Sequence, residues 1–379
     1  MTEQDGGFPA LRAALAAELA NGPDCGVQLS IGHAGTCHDL VAGQDGRGAA
    51  MAAATIVAWT CSSKPLGAIA FARAWDAGRL SPDDLVADHL PEYAAGGKDT
   101  VRLRDLLTHT TGVSDPIVNL DTQGAELPPW DEIDPMIWLV ICAAEREQPA
   151  GRWMNYNPIA NWFTLDRVLT GLDGSRPGDS YRSVFTDLGL SASLGLSASP
   201  APSTGPAPST GPDTSTGPRR AQVVSGPDEA GNLRRLLVAA ELPLPGTGVW
   251  GTMADLRAVG QALLSGVAAD GSVLARPATL EAMTATHWPG TSRRVLSTSD
   301  FPYGMGFMTL PQLYGRDCSF RTYGHAGGNN STLLVDPVAG LVLAIYWNRR
   351  LSDVGAVTRR RALVRAAYRD LGLAAAGSS

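Results

Sequence analysis

The sequence predicts an α+β fold: an antiparallel sheet flanked by terminal helices, with an all-helical lobe inserted between two halves of the sheet. Three observations predict it. Helical periodicity occupies both ends of the 379-residue chain, strand-like runs lie just inside each terminal helix, and the stretch between them is patterned mainly as helix.

Residues 8–21 alternate apolar and polar positions with helical period, and Gly22-Pro23 ends the pattern. Two short runs follow, Gly26–Ile31 and His38–Ala42, joined by the glycine-bearing turn His33–Thr36, and they read as neighbouring antiparallel strands. Thr55–Trp59 then leads into an apolar stretch in which Leu66, Ile69, Ala70 and Trp75 share one helical face, so Cys61 falls in the first turn of a buried helix. Asp76–Asp84 is turn chemistry that stops this helix and caps the next. Helical patterning resumes at Arg102–Leu107 and continues into Thr108–Val113.

Asp255–Leu264 reads as an amphipathic helix. Ser331–Asp336 and Leu341–Asn348 read as a β-hairpin around Pro337–Gly340, and Arg359–Leu371 closes the chain as a helix. The pattern implies a single domain over 1–379, with an α/β lobe of about 8–60 and 240–375, a helical lobe of about 61–240, and a catalytic cleft between them. A low-complexity segment, 197–228, contains three six-residue units at 201–218: Ala-Pro-Ser-Thr-Gly-Pro twice, then Asp-Thr-Ser-Thr-Gly-Pro. Too little apolar content is present there to drive burial, so a mobile surface loop is expected.

A formal charge of -7 without a basic stripe argues against a nucleic-acid partner or an anionic membrane surface. No apolar run reaches membrane-spanning length, and Met1–Gly7 lacks the basic flank and apolar run of a signal peptide, so a soluble cytoplasmic protein is expected. The five cysteines are odd in number and scattered, as in a reducing compartment, and Cys37-His38 is the only adjacent Cys/His pair. No metal and no cofactor are expected.

Cys61 and Lys64 carry the chemical signal. Three residues apart at a helix start, thiol and amine share a face, which sets a nucleophile beside a base. Of 30 Lys plus Arg, only Lys64 and Lys98 are lysines. A lysine kept where basic positions are otherwise arginine suggests work that a permanently charged guanidinium cannot do, because a desolvated lysine loses its proton. A helix N-terminus and a nearby ammonium both lower a thiol's pKa from its ordinary value of about 8.5, which favours thiolate near neutrality. Lys64 can serve as proton acceptor or as the thiolate's ion-pair partner, and the sequence leaves both open.

Leu106-Leu107-Thr108-His109-Thr110-Thr111-Gly112 resembles the Leu-Leu-x-His-Thr-Ser-Gly pattern of the serine β-lactamase and penicillin-binding-protein-like superfamily, in its branch of class C β-lactamases, esterases and transacylases. Cys61–Pro91 is similar to that branch's nucleophile helix and following turn, and Gly248–Leu256 to its Gly-Gly-Leu-x-Ser-Thr-x-x-Asp-Leu segment. Tyr303–Phe307 and Tyr323–Gly328 resemble two of its core strands. The likeness runs in order over nearly the whole chain and implies a β-lactamase-like fold.

The resemblance implies that Cys61 stands where the family's nucleophilic serine stands in Ser-x-x-Lys, since neither Ser62 nor Ser63 has a lysine three residues on. It implies that Tyr156, in Gly151–Pro158, is the general acid/base of a Tyr-x-Asn motif. Pro158 occupies that motif's Asn position, which leaves Asn157 or Asn161 to supply the substrate contact. It also implies that His325-Ala326-Gly327 is the third motif, with His325 and Gly327 lining the substrate site and the backbone N–H groups of Cys61 and Gly328 forming the oxyanion hole. Ala326 lacks the hydroxyl that would meet a β-lactam carboxylate, which argues against a β-lactamase proper. His109 is read as a residue that satisfies local backbone groups. Trp130, Trp138, Trp153, Trp162 and Trp250 are read mostly as core, with an acyl-pocket wall as the alternative.

The function expected is acyl transfer through a covalent Cys61 acyl-thioester: a transacylase moving an acyl group from a small ester, amide or thioester to an amine or alcohol acceptor. The alternative is an esterase or amidase of the same family. A binding protein that kept the fold and lost the chemistry is the third reading.

Overall fold

The computed structural model describes residues 7–20, 22, 25–118, 128–195, 219–223, 241–290, 301–328 and 330–374. A five-stranded antiparallel sheet of order β2-β1-β8-β7-β6 is built from β1 (Gly26–His33), β2 (Thr36–Gly43), β6 (Tyr323–Ala326), β7 (Thr332–Asp336) and β8 (Leu341–Trp347). The hairpin from β1 to β2 turns at Ala34 and Gly35, both with positive φ, and pairs His33 with Thr36. Two left-handed residues in succession match the twist of the flanking strands, which is why so short a turn closes there.

Alternation along β8 assigns the two faces. Leu341, Leu343, Ile345 and Trp347 pack with Val27, Leu29 and Ile31 against the terminal helices α1 (Pro9–Ala20) and α10 (Asp353–Asp370). Val342, Ala344 and Tyr346 face the other way, toward α8 (Met253–Ser265). On that second face β1 presents Gln28 and Ser30, and these are satisfied by α8: Met253 N donates to Gln28 Oε1 at 3.2 Å and Arg257 Nε to Ser30 Oγ at 2.8 Å. A small three-stranded sheet, order β3-β5-β4, joins β3 (Val57–Ala58), β4 (Ser193–Leu194) and β5 (Val249–Gly251) beneath the site.

Between β2 and β6 in the chain come, among others, the helices α2 (Lys64–Asp76), α4 (Leu103–Leu107), α5 (Trp130–Ala143), α6 (Ala160–Asp173) and α7 (Asp179–Asp187). The antiparallel sheet with flanking helices is the α+β architecture expected. No described helix is long and apolar enough to cross a membrane.

Four local expectations need correction. Cys61 does not sit in the first α-helical turn; it lies on a 3₁₀ turn, Thr60–Ser63, that runs into α2. That change strengthens the pairing, because residues three apart eclipse one another in a 3₁₀ turn. The helix from Arg102 stops at Leu107, since His109 takes φ 58° and reverses the chain. Tyr303–Phe307 is no strand: single bridges from Tyr303 to Trp288 and Met308 flank a tight loop whose Gly306 has φ 93°. Within the low-complexity segment, residues 219–223 dock: Ile56 N donates to Arg219 O at 2.8 Å and Arg219 pairs with Asp45. The 201–218 repeat lies outside the described residues.

Candidate active site

The site forms where the 3₁₀ turn before α2 meets the edge strand β6. Thr60, with φ 45°, bends the chain so that Cys61 follows on a sharp turn. Hydroxyls then stitch the turn to the sheet. Ser62 Oγ donates to the His325 carbonyl at 3.1 Å and Ser63 Oγ to the Thr60 carbonyl at 2.7 Å, while the single Ser331 hydroxyl proton is shared between the Trp59 carbonyl and Ser62 Oγ, the latter at 3.0 Å. Ser62 and Ser63 are thereby spent on the fold. Gly327 is required by the same approach: a Cβ there would stand 2.3 Å from Thr60 Oγ1 and 2.5 Å from Trp59 O. Gly328 follows as an exposed residue of the turn after β6.

Lys64 is completely buried, and its Nζ donates to the carbonyls of Pro158 at 2.8 Å and Gly246 at 2.9 Å. It lies 5.6 Å from the centre of the Tyr156 ring and 5.5 Å from a Trp162 ring. Burial pushes its pKa below the ordinary lysine value, while the Cys61 thiol and then the Asp115 carboxylate oppose the shift. The Tyr156 hydroxyl is buried, and burial, followed by the neighbouring Cys61, pushes its pKa well up. Cys61, Lys64 and Tyr156 thus come together.

The loop that presents Tyr156 is zipped onto the 108–112 turn. Gly151 N donates to Thr110 O at 2.8 Å, Asn155 N to His109 O at 3.0 Å, and Asn157 N to His109 Nδ1 at 3.1 Å. Asp115 holds the far side. Its buried carboxylate accepts from the backbone N–H groups of Ile117, Val118, Ile159 and Ala160, tying the loop to the start of α6. Burial still outweighs these four donors and raises the Asp115 pKa.

Asn157 and Asn161 are both buried, and their amides are used inside the protein. Asn157 Oδ1 accepts from Asn161 N at 3.1 Å, and Asn161 Nδ2 donates to Leu106 O at 3.1 Å. They brace α6 rather than opening toward a ligand. His325 is fully buried on β6, with its ring centre 6.2 Å from that of Tyr156 and its Nε2 2.9 Å from Tyr303 Oη. Tyr303 in turn lies 3.3 Å from His109 Nε2. Of the tryptophans, Trp162 borders Lys64 and Trp250 is core, Trp130 packs on Phe163, Trp138 stacks on Tyr93, and Trp153 is exposed.

Sequence reasoning brought Cys61, Lys64, Tyr156 and His325 together and missed Tyr303, Asp115 and Ser331. The only advance signal for Tyr303 was its place in the Tyr303–Phe307 segment. Asp115 and Ser331 had none. Among the described residues, no group of three or more His, Cys, Asp or Glu side chains comes together as a metal site requires.

A family model described as Beta-lactamase matches residues 15–368. Among solved structures, a penicillin-binding-protein homologue from Caulobacter crescentus is 24% identical with a TM-score of 0.75, covering 98% of this chain and 99% of its own. A family VIII carboxylesterase is 22% identical with a TM-score of 0.74 over 98% and 99%. EstCE1, described as a hydrolase with promiscuous acyltransferase activity, is 18% identical with a TM-score of 0.70 over 95% and 98%. No curated protein sequence matches the chain. With the family model matching nearly the whole chain and these folds superposing over almost its whole length, the chain belongs to the Beta-lactamase family.

Proposed function

We propose that this protein is a transacylase that works through a Cys61 acyl-thioester and delivers the acyl group to a small amine or alcohol. The observation that carries the reading is the meeting of Cys61 with Lys64 and Tyr156, while both neighbouring serines are committed to structural hydrogen bonds.

In the first half-reaction Cys61 Sγ attacks the acyl carbonyl and its proton passes to Lys64 or Tyr156. The carbonyl electron pair moves to oxygen, facing the backbone N–H groups of Cys61 and Gly328. The C–O, C–N or C–S bond to the leaving group then breaks, and the leaving group takes the proton. In the second half the acceptor attacks the thioester, gives up its own proton to the same groups, and the C–S bond breaks to restore the thiol.

Cysteine in place of serine favours transfer over hydrolysis, because a thioester reacts with amines in preference to water more than an oxoester does. Intact-mass analysis after exposure to a panel of small esters, with and without amine acceptors, tests the reading. One acyl adduct is expected on the wild type and none on Cys61→Ala, with an amide-to-acid product ratio that drops in Cys61→Ser. Exclusive hydrolysis at saturating amine, or an adduct that survives in Cys61→Ala, would overturn it.

The second reading is an esterase or amidase. It is favoured by the likeness to a carboxylesterase and to EstCE1. The product ratio decides between the two. In either case the partners are a small acyl donor and water, an amine or an alcohol, and a cytoplasmic setting goes with both.

A further inference from the structure

A chain of buried hydrogen bonds runs behind Tyr156, and its direction is set at both ends by backbone groups. At one end the Asn157 N–H, which can only donate, points to His109 Nδ1 at 3.1 Å. That nitrogen therefore carries no proton, and in a neutral ring the proton sits on Nε2, 3.3 Å from Tyr303 Oη. At the other end the Ala326 carbonyl, which can only accept, lies 3.0 Å from His325 Nδ1, so the His325 proton is on Nδ1. His325 Nε2 then accepts from Tyr303 Oη at 2.9 Å. The Tyr303 hydroxyl oxygen is the one atom of the chain that does both, receiving from His109 and donating to His325.

We propose that Tyr303 and His109 are positioning residues for acyl transfer: the one-way chain Asn157 N–H to His109 to Tyr303 to His325 to Ala326 O locks His325 as a neutral Nδ1–H tautomer with Nε2 already occupied. The inference rests on the acyl-transfer reading above. So held, His325 faces Tyr156 without competing for the Cys61 proton, which is left to Lys64 and Tyr156.

The surroundings agree. Burial lowers the proton affinity of both imidazoles well below the ordinary range, and the Lys64 ammonium adds to it. The groups facing His325 are Lys64 from α2, Tyr156 and Tyr303 from the flanking loops, and Arg360 from α10. His109 is faced by Lys64, Tyr156, Tyr303 and His325. Among these groups no carboxylate lies beside either ring to favour an imidazolium. Removing the Tyr303 hydroxyl leaves the His325 Nε2 lone pair free to take a proton, and a new positive charge there would lower the thiol's pKa and with it the thiolate's intrinsic nucleophilicity.

The chain contains six histidines, so ring-nitrogen NMR of histidine-labelled protein, assigned with His109→Gln and His325→Gln, reads the tautomers directly. In the wild type His109 is expected as Nε2–H and His325 as Nδ1–H, neither titrating between about pH 5.5 and 8.5, a window that spans the ordinary histidine value. In Tyr303→Phe, kcat is expected to fall roughly 10- to 100-fold with KM nearly unchanged, comparable to the loss of a hydrogen-bond partner behind a metal-bound histidine. An acid limb absent from the wild type should appear in kcat, tracking the titration of His325. The opposite tautomer, a ring that titrates in the wild type, or a Tyr303→Phe enzyme with unchanged tautomers and pH profile would overturn the proposal. The expected tautomers in a chain that forms no acyl adduct would instead overturn the acyl-transfer reading.

Discussion

Lys64 is buried with carbonyl oxygens and aromatic rings for neighbours, and Cys61 and Asp115 only partly offset the cost of burying its charge. For a lysine with a lowered pKa the folded protein releases the proton at a pH where the unfolded chain still holds it, so the base form grows as pH rises through a midpoint below 10.5. The alkaline rise of kcat/KM is therefore expected to centre below 10.5. In Lys64→Met that limb should vanish and kcat should fall by about 100-fold or more, as pH-rate measurements would show. Lys98 marks the limit of the argument from lysine scarcity. It is equally buried, but its Nζ donates to the Cys142 and Ala144 carbonyls at the end of α5, with the Tyr93 ring beneath it. A compact ammonium suits a cluster of carbonyls better than a planar fork does. Both lysines meet such a cluster and both have a cysteine nearby, but of the two only Lys64 has its cysteine, Cys61, within hydrogen-bond reach, whereas Cys142 acts on Lys98 through charge alone.

At the scale of elements, the site depends on how closely β6 approaches the turn that carries Cys61. Ser62, Ser331 and the missing Cβ of Gly327 bring the two into contact. Gly327→Ala would drive a methyl group into the Trp59 carbonyl, which is backbone and cannot swing aside. The expected outcome is a loss of roughly 1–3 kcal/mol in stability, as for overpacked sites, read from chemical denaturation. A larger proportional loss of kcat should accompany it, since the displaced strand carries His325 and leads into the turn with Gly328. The Tyr156 loop depends on a different pair of elements, the reversal at His109 and the Asp115 carboxylate. Periodicity predicts a helix through Thr108–Val113 because Leu106, Leu107 and Val113 share its spacing. The chain instead turns at His109, where hydrogen bonds to the Tyr156 loop replace those a continued helix would have made.

For the whole molecule, the buried acids set how stability responds to pH. Asp166 on α6 accepts from Gly178 N at 2.7 Å and from Ser180 Oγ, yet burial pushes its pKa up to about 6. Its folded value lies above its unfolded one, so the native state binds the proton more tightly. This group's contribution is therefore greatest below about pH 4 and is lost as pH rises through the window up to about 6. Asp105, Asp115 and Asp134 are shifted in the same direction. Asp166→Asn should remove this contribution, up to about 3 kcal/mol across that window, leaving the variant's thermal midpoint less sensitive to pH than the wild type's. Equal pH slopes for the two proteins would contradict this assignment.

What the sequence alone determined is whatever a local pattern encodes. The order of helices and strands follows from periodicity and turn residues, and the hairpins of β1 with β2 and β7 with β8 follow from alternation and their glycine-bearing turns. Cys61 stands beside Lys64 because three residues suffice to align them. Tertiary structure decided everything that depends on distant partners: Ser62 tied to the strand at 325, His109 joined to Tyr303 across 194 residues, and the Asn157 and Asn161 amides drawn inward to Val113 and Leu106 respectively. A buried polar group takes whichever partner the packed elements bring within reach, and no spacing along the chain records which one that will be.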